Sequence, residues 1–197
     1  MPSHVSAFAV FFASIFTSNI LLTNYLGMCS FLAVSKEMKT SVGLGAAVTF
    51  VLAVTTPLNW LVYHYLLIPF NLEYLRFIVF IIVIAAFVQL TEMTLERYSE
   101  PLYQSLGIFL PLITVNCAIL GASLFMVIRE YTFVTSLLFG IGSGIGWLLA
   151  IVAMSGIRTK LRTANIPPAL EGPGISLIIA GFMAMAFMGF SGMIAVS

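Results

Sequence analysis

Hydrophobic positions along the chain form six long apolar runs, each bounded by charged or turn-forming residues. A helix needs about 20 apolar residues to cross a hydrocarbon core about 30 Å thick, so each run predicts a membrane-spanning helix. We therefore expect an all-α integral membrane protein of six transmembrane helices, with residues 1–197 forming a single transmembrane domain. The runs lie at Val5–Val34, Val42–Ile68, Leu75–Leu90, Leu102–Ile128, Phe133–Ile157 and Ile175–Val196.

The first and fourth runs predict broken helices. The first run is longer than one straight span needs and contains Asn19 and Gly27. The fourth run contains Pro111 and Asn116. Glycine and proline allow a membrane helix to break where protein covers the freed backbone groups. The third run looks short because Glu92 interrupts it.

The basic residues predict how the chain is oriented in the membrane. Six of the eight lie in the loops after the first, third and fifth runs, and the other two, Arg76 and Arg129, lie on the opposite side. Because basic loops tend to stay in the cytoplasm, both termini are expected to face outward. Each half holds three spans, an odd number, so residues 1–98 and 99–197 are expected to form inverted repeats.

The composition excludes several classes of protein. The chain is 61% hydrophobic and 8% charged, whereas a soluble domain carries about 25% charged residues. Six spans with short loops leave no room for a separate soluble catalytic domain. A net charge of +1 argues against a nucleic-acid partner, which needs a basic stripe. No Ser/His/Asp set, H-E-x-x-H motif or phosphate loop is present, so hydrolytic chemistry is not expected.

The two cysteines lie at matching positions in the two halves. Residues Met28–Ser35 and Asn116–Ser123 align with a shared cysteine, leucine and serine. In inverted repeats a pseudo-two-fold axis would bring Cys29 and Cys117 to similar depth near the repeat interface. Three interpretations are open: two small apolar core residues, a disulfide, or half of a four-cysteine iron–sulfur site completed by a second protein.

Glu92 is the acidic residue closest to a membrane interior. An intramembrane carboxylate is by default a functional hypothesis, here a residue of an ion pathway. The alternative is a helix-end residue whose carboxylate reaches the cytoplasmic interface.

A glycine-rich segment, residues 140–146, lies inside the fifth run. It lacks the G-x-G-x-x-G spacing of a nucleotide loop and carries no charge. It contains two overlapping G-x-x-x-G pairs, Gly140 with Gly144 and Gly142 with Gly146, which predict close helix packing.

The two cysteine segments closely resemble the NqrDE/RnfAE family of membrane subunits. The resemblance is carried by Leu-Gly-Met-Cys followed after one serine by Phe-Leu-Ala-Val-Ser-Lys at 26–36, and by Leu-Pro-Leu-Ile-Thr-Val-Asn-Cys-Ala-Ile-Leu-Gly at 110–121. Residues 129–131 and 144–153 also fit. The likeness extends from about residue 10 to residue 192.

This resemblance implies a membrane subunit of a sodium-translocating NADH:quinone oxidoreductase in a bacterial inner membrane, with both termini in the periplasm. It implies that Cys29 and Cys117 bind an intramembrane iron–sulfur cluster of the 2Fe–2S type, which relays electrons between flavin-bearing subunits on the two membrane faces. The homologous protein NqrD would supply the other two cysteines. No flavin is expected in this chain. The other implied partners are NqrA, NqrB, NqrC, NqrF and Na⁺, with Glu92 matching a position associated with sodium uptake.

Three alternatives are kept. Within the family, the chain could instead serve a ferredoxin:NAD oxidoreductase of the Rnf type. A secondary transporter also uses inverted repeats and broken helices, but it would need no metal. A scaffold protein that only packs its partners would tolerate the loss of both cysteines.

Overall fold

The computed structural model describes residues 7–98, 110–162 and 172–189, and the regular structure in these residues is helical throughout. A π-helical turn, Tyr63–Leu67, continues α3, and a short 3₁₀ turn, Glu73–Leu75, leads into α4. The α-helices are α1 Ala7–Ile15, α2 Met28–Val34, α3 Met38–Val62, α4 Arg76–Tyr98, α5 Leu110–Thr114, α6 Cys117–Ile128, α7 Phe133–Leu161 and α8 Pro173–Met188.

Four helical segments are long and apolar enough to cross a membrane: Met38–Leu67, Glu73–Thr94, Pro111–Ile128 and Phe133–Leu161. They confirm the prediction of an all-α membrane protein. The shorter α8 is also apolar. The six-span inverted repeat stays a prediction, since the ends of the first and sixth runs and the start of the fourth lie outside the described residues.

The first and fourth runs are each divided into two helices, as expected. In the first run α1 ends at Ile15 and α2 begins at Met28. In the fourth run α5 ends at Thr114 and α6 begins at Cys117. The third run differs from the expectation: α4 continues to Tyr98. Glu92 therefore lies inside a helix and does not end it, because one carboxylate does not remove a backbone hydrogen bond.

Helix α7 lies at the centre of the described bundle and packs against α3 and α1. Its glycines explain how it approaches both. A Cβ on Gly144 would lie 2.7 Å from Thr49 Cα of α3. A Cβ on Gly146 would lie 2.9 Å from the Ile15 carbonyl oxygen of α1. The two predicted G-x-x-x-G pairs are thus confirmed as packing motifs, one for each neighbour.

Contacts along the interface show that α3 and α7 are antiparallel. Gly45 lies opposite Leu148, whereas Gly140 lies opposite Leu52 and Thr56 further along α3. Rising residue numbers on one helix therefore meet falling numbers on the other. This is the direction expected for the second and fifth spans when the halves are inverted.

Candidate cysteine site

Cys29 is the second residue of α2 and follows a sharp turn in the backbone. Gly27 caps the helix with φ 86° and ψ 15°, in the left-handed region that side-chain-bearing residues disfavour. A Cβ at this position would also lie 2.7 Å from Trp147 Nε1 and 3.1 Å from Asn116 Oδ1. Glycine is required here for both reasons. The thiol of Cys29 is free and exposed on the surface of the chain.

Cys117 is the first residue of α6 and is positioned by a side-chain cap. The Asn116 side chain accepts a hydrogen bond from the Ala118 amide at 3.1 Å, which satisfies one of the free amides at the helix start. Asn116 is buried, while the free thiol of Cys117 is partly exposed. The break before α6 is therefore short and tightly held.

A chain of hydrogen bonds joins the two cysteine segments. The Gly27 amide donates to Cys117 Sγ at 2.9 Å. The Asn116 side-chain amide donates to Ser30 Oγ at 3.2 Å, and Ser30 Oγ donates to the Gly27 carbonyl at 3.0 Å. The structure thus brings together the two segments that the sequence placed 88 positions apart in matching contexts. Both thiols are free, so the disulfide interpretation is wrong for this structure.

The longer break in the first run is organised by Asn19, which is fully buried. Its side-chain amide donates to the carbonyls of Ile15 at 3.0 Å and Gly146 at 2.9 Å. Its side-chain oxygen accepts from the amides of Leu21 at 3.0 Å and Leu22 at 3.3 Å. Sequence reasoning identified Asn19 only as a helix breaker and missed this role. A buried asparagine in an apolar run was the available signal, because its polar groups need partners.

The far end of α2 is held by residues that sequence reasoning also missed. Arg158 of α7 donates from one guanidinium nitrogen to the Leu32 carbonyl at 2.9 Å and to Ser35 Oγ at 2.7 Å. Ser41 of α3 donates to the Val34 carbonyl at 3.2 Å. In the sequence Arg158 counted only as a loop charge, and its partners are distant along the chain.

Glu92 lies partly buried near the C-terminal end of α4, a helix that packs against α5 and α6. Glu96, one turn further along, is exposed. The hydrogen bonds that join the cysteine segments do not include Glu92. Its assignment to an ion pathway stays a prediction.

The two thiols form an incomplete donor set. No group of three or more His, Cys, Asp or Glu side chains that could hold a metal ion occurs in the described parts of the chain. Cysteine thiolates are soft ligands that suit iron–sulfur clusters, and such clusters take four of them. With Cys29 exposed and Cys117 partly exposed, both sulfurs can be reached from outside the chain.

The model of a family described as Rnf-Nqr subunit, membrane protein, matches residues 7–194. The chain belongs to this family. It is also 54% identical over 194 residues, 93% of this chain and 96% of the relative, to a protein of Psychromonas ingrahamii that is named as the E-type component of a Na(+)-translocating NADH-quinone reductase. The family predicted from the cysteine segments is confirmed. Within the Rnf-Nqr family, the likeness is to a component of the sodium-translocating reductases.

Proposed function

We propose that this chain is a membrane subunit of a sodium-translocating NADH:quinone oxidoreductase and that Cys29 and Cys117 supply half the ligands of an intramembrane iron–sulfur cluster. Membership of the Rnf-Nqr family and the 54% identity to the reductase component of Psychromonas ingrahamii support the first part. The hydrogen bond from the Gly27 amide to Cys117 Sγ, at 2.9 Å, carries the second part.

The local chemistry fits such a cluster. An amide that points at a cysteine sulfur stabilises the thiolate form, which is the form that binds metal. Hydrogen bonds to cluster sulfurs also adjust the reduction potential. The buried Asn116 and Ser30 hold this amide through the Gly27 carbonyl, so its direction is fixed before any metal binds.

When bound, the cluster would supply one-electron transfer part-way through the bilayer. The residues of this chain have three tasks in the proposal. Cys29 and Cys117 act as ligands, Gly27 and Asn116 fix the directions of the two half-helices, and the fully buried Trp147 fills the space beneath Gly27.

The remaining ligands require a partner with two cysteines. The homologous protein NqrD is the partner that we propose, in the opposite orientation, with NqrA, NqrB, NqrC and NqrF completing the complex. The complex would lie in a bacterial inner membrane with both termini of this chain in the periplasm, as the distribution of basic residues favours.

The experiment that tests the ligand assignment uses the purified whole complex with Cys29→Ala or Cys117→Ala. Either change should abolish the paramagnetic signal of this cluster, lower the iron and acid-labile sulfide content, and stop quinone reduction. Met28→Leu, which conserves volume beside Cys29, is the matched control and should retain all three. Intact alanine variants with unchanged iron, sulfide and turnover would favour the scaffold or transporter alternatives.

For Glu92 we propose a place on the sodium pathway. Glu92→Gln removes the charge but keeps the shape, so turnover should depend less on sodium concentration while reduction of the upstream flavin is unaffected. Glu96→Gln, the same change at the exposed position one turn later, should leave the sodium titration unchanged. Equal behaviour of both variants and wild type would assign Glu92 a structural role.

A further inference from the structure

Helix α2, which carries Cys29, depends on its neighbours for its position. It has seven residues, and isolated helices shorter than about 12 residues are marginal by themselves. The last four carbonyls of a helix also have no partner within it. In α2 two of these carbonyls are satisfied from elsewhere: Leu32 by Arg158 and Val34 by Ser41.

Arg158 differs from the other groups that hold α2 because it is charged. The side chain lies half-buried at the end of α7, and the same nitrogen also donates to the fully buried Ser35. A guanidinium remains protonated under all ordinary conditions. The carbonyl end of α2 therefore lies against a fixed positive charge, which is favourable for the helix end.

The contact lies close to the cysteine along the same helix. Cys29 is three residues from Leu32, which corresponds to about 4.5 Å along a helix axis. A shift of the Leu32 carbonyl is thus transmitted to Cys29 within one turn. A positive charge at this range also stabilises any centre that gains negative charge on reduction, because the interaction is only partly screened inside the protein.

We propose that Arg158 is a positioning residue for Cys29, holding α2 against α7 and raising the reduction potential of the centre that Cys29 binds. The second effect rests on the proposed function, whereas the first does not. Arg162 provides a matched comparison: it carries the same charge one turn later on α7 and donates to the Lys36 carbonyl at 3.0 Å in an exposed contact.

The first measurement needs no cluster. In the complex with Cys117→Ala, Cys29 is the only thiol of this chain, and its rate of alkylation by N-ethylmaleimide reports how firmly α2 is held. Arg158→Gln should increase this rate about tenfold, equivalent to about 1.4 kcal/mol. This is near the lower value for a hydrogen bond from a charged group. Arg158→Lys should give a smaller increase, and Arg162→Gln none.

The second measurement is a redox titration of the cysteine-intact complex, followed by the paramagnetic signal. Arg158→Gln should move the midpoint potential to a more negative value, Arg158→Lys should recover most of the shift, and Arg162→Gln should leave it unchanged. If Arg158→Gln does not assemble, the intermediate behaviour of Arg158→Lys still tests the proposal. Alkylation rates and potentials equal to wild type in both Arg158 variants would overturn it, as would equal shifts from Arg158→Gln and Arg162→Gln. A wild-type complex without any cluster signal would refute the proposed function, while the alkylation rates would still decide the positioning role.

Discussion

The two half-helices that begin at the cysteines are held in different ways. Helix α6 has 12 residues, begins with the Asn116 side-chain cap, and ends at the exposed Arg129. Helix α2 has seven residues, begins at Gly27 without a side-chain cap, and ends in contacts from α3 and α7. Cys117 is partly buried against the other segment, whereas Cys29 is exposed.

The comparison shows that similar cysteine placement can rest on different sources of stability. Helix α6 satisfies its first turn from its own sequence, through a residue next to Cys117. Helix α2 is satisfied by residues more than 100 positions away, such as Arg158. We therefore expect changes near α2 to act through tertiary contacts and changes near α6 to act through local capping.

The largest effect is expected for Gly27→Ala. A left-handed conformation costs a non-glycine residue about 1–2 kcal/mol, and forcing a methyl group against Trp147 adds about 1–3 kcal/mol. The complex should lose thermal stability and much of its cluster signal. Gly121→Ala on α6 is the control, because its Cβ would meet only the flexible end of Leu26. Equal losses in a thermal scan of the two variants would contradict the requirement for glycine at position 27.

A medium effect is expected for Asn116→Ala. The variant loses the cap on α6 and the hydrogen bond to Ser30, and a lost cap alone costs about 0.5–2 kcal/mol. Asn116→Ser keeps a good capping group but is too short to reach Ser30. Thermal stability should rank wild type, then serine, then alanine. If serine and alanine have the same stability, local capping does not hold α6.

The smallest effect is expected at the far ends of the two half-helices. Ser41→Ala removes the hydrogen bond to Val34 in a fully buried position and should cost about 1 kcal/mol. Arg129→Ala removes an exposed contact to Tyr131 at the end of α6 and should change stability by less than about 0.5 kcal/mol. A larger loss from Arg129→Ala in the same thermal assay would reverse the comparison.

Several features of the fold and site followed from local pattern. Apolar length predicted the membrane helices, because the bilayer thickness sets a length that the sequence must match. Asn19 and Pro111 predicted the breaks in the first and fourth runs, and the glycine spacing in α7 predicted close packing. The continuation of α4 past Glu92 was missed, since hydropathy marks where apolar residues end and not where a helix ends.

The sequence by itself determined the solvent, the helices, the breaks and the two cysteine segments, all of which depend on residues near one another in the chain. Only the tertiary structure decided that the Gly27 amide faces Cys117, that Asn19 bonds to Gly146, and that Arg158 holds the end of α2. These contacts join residues about 90 to 130 positions apart. A buried polar group must find a partner, but which partner it finds depends on how the helices pack.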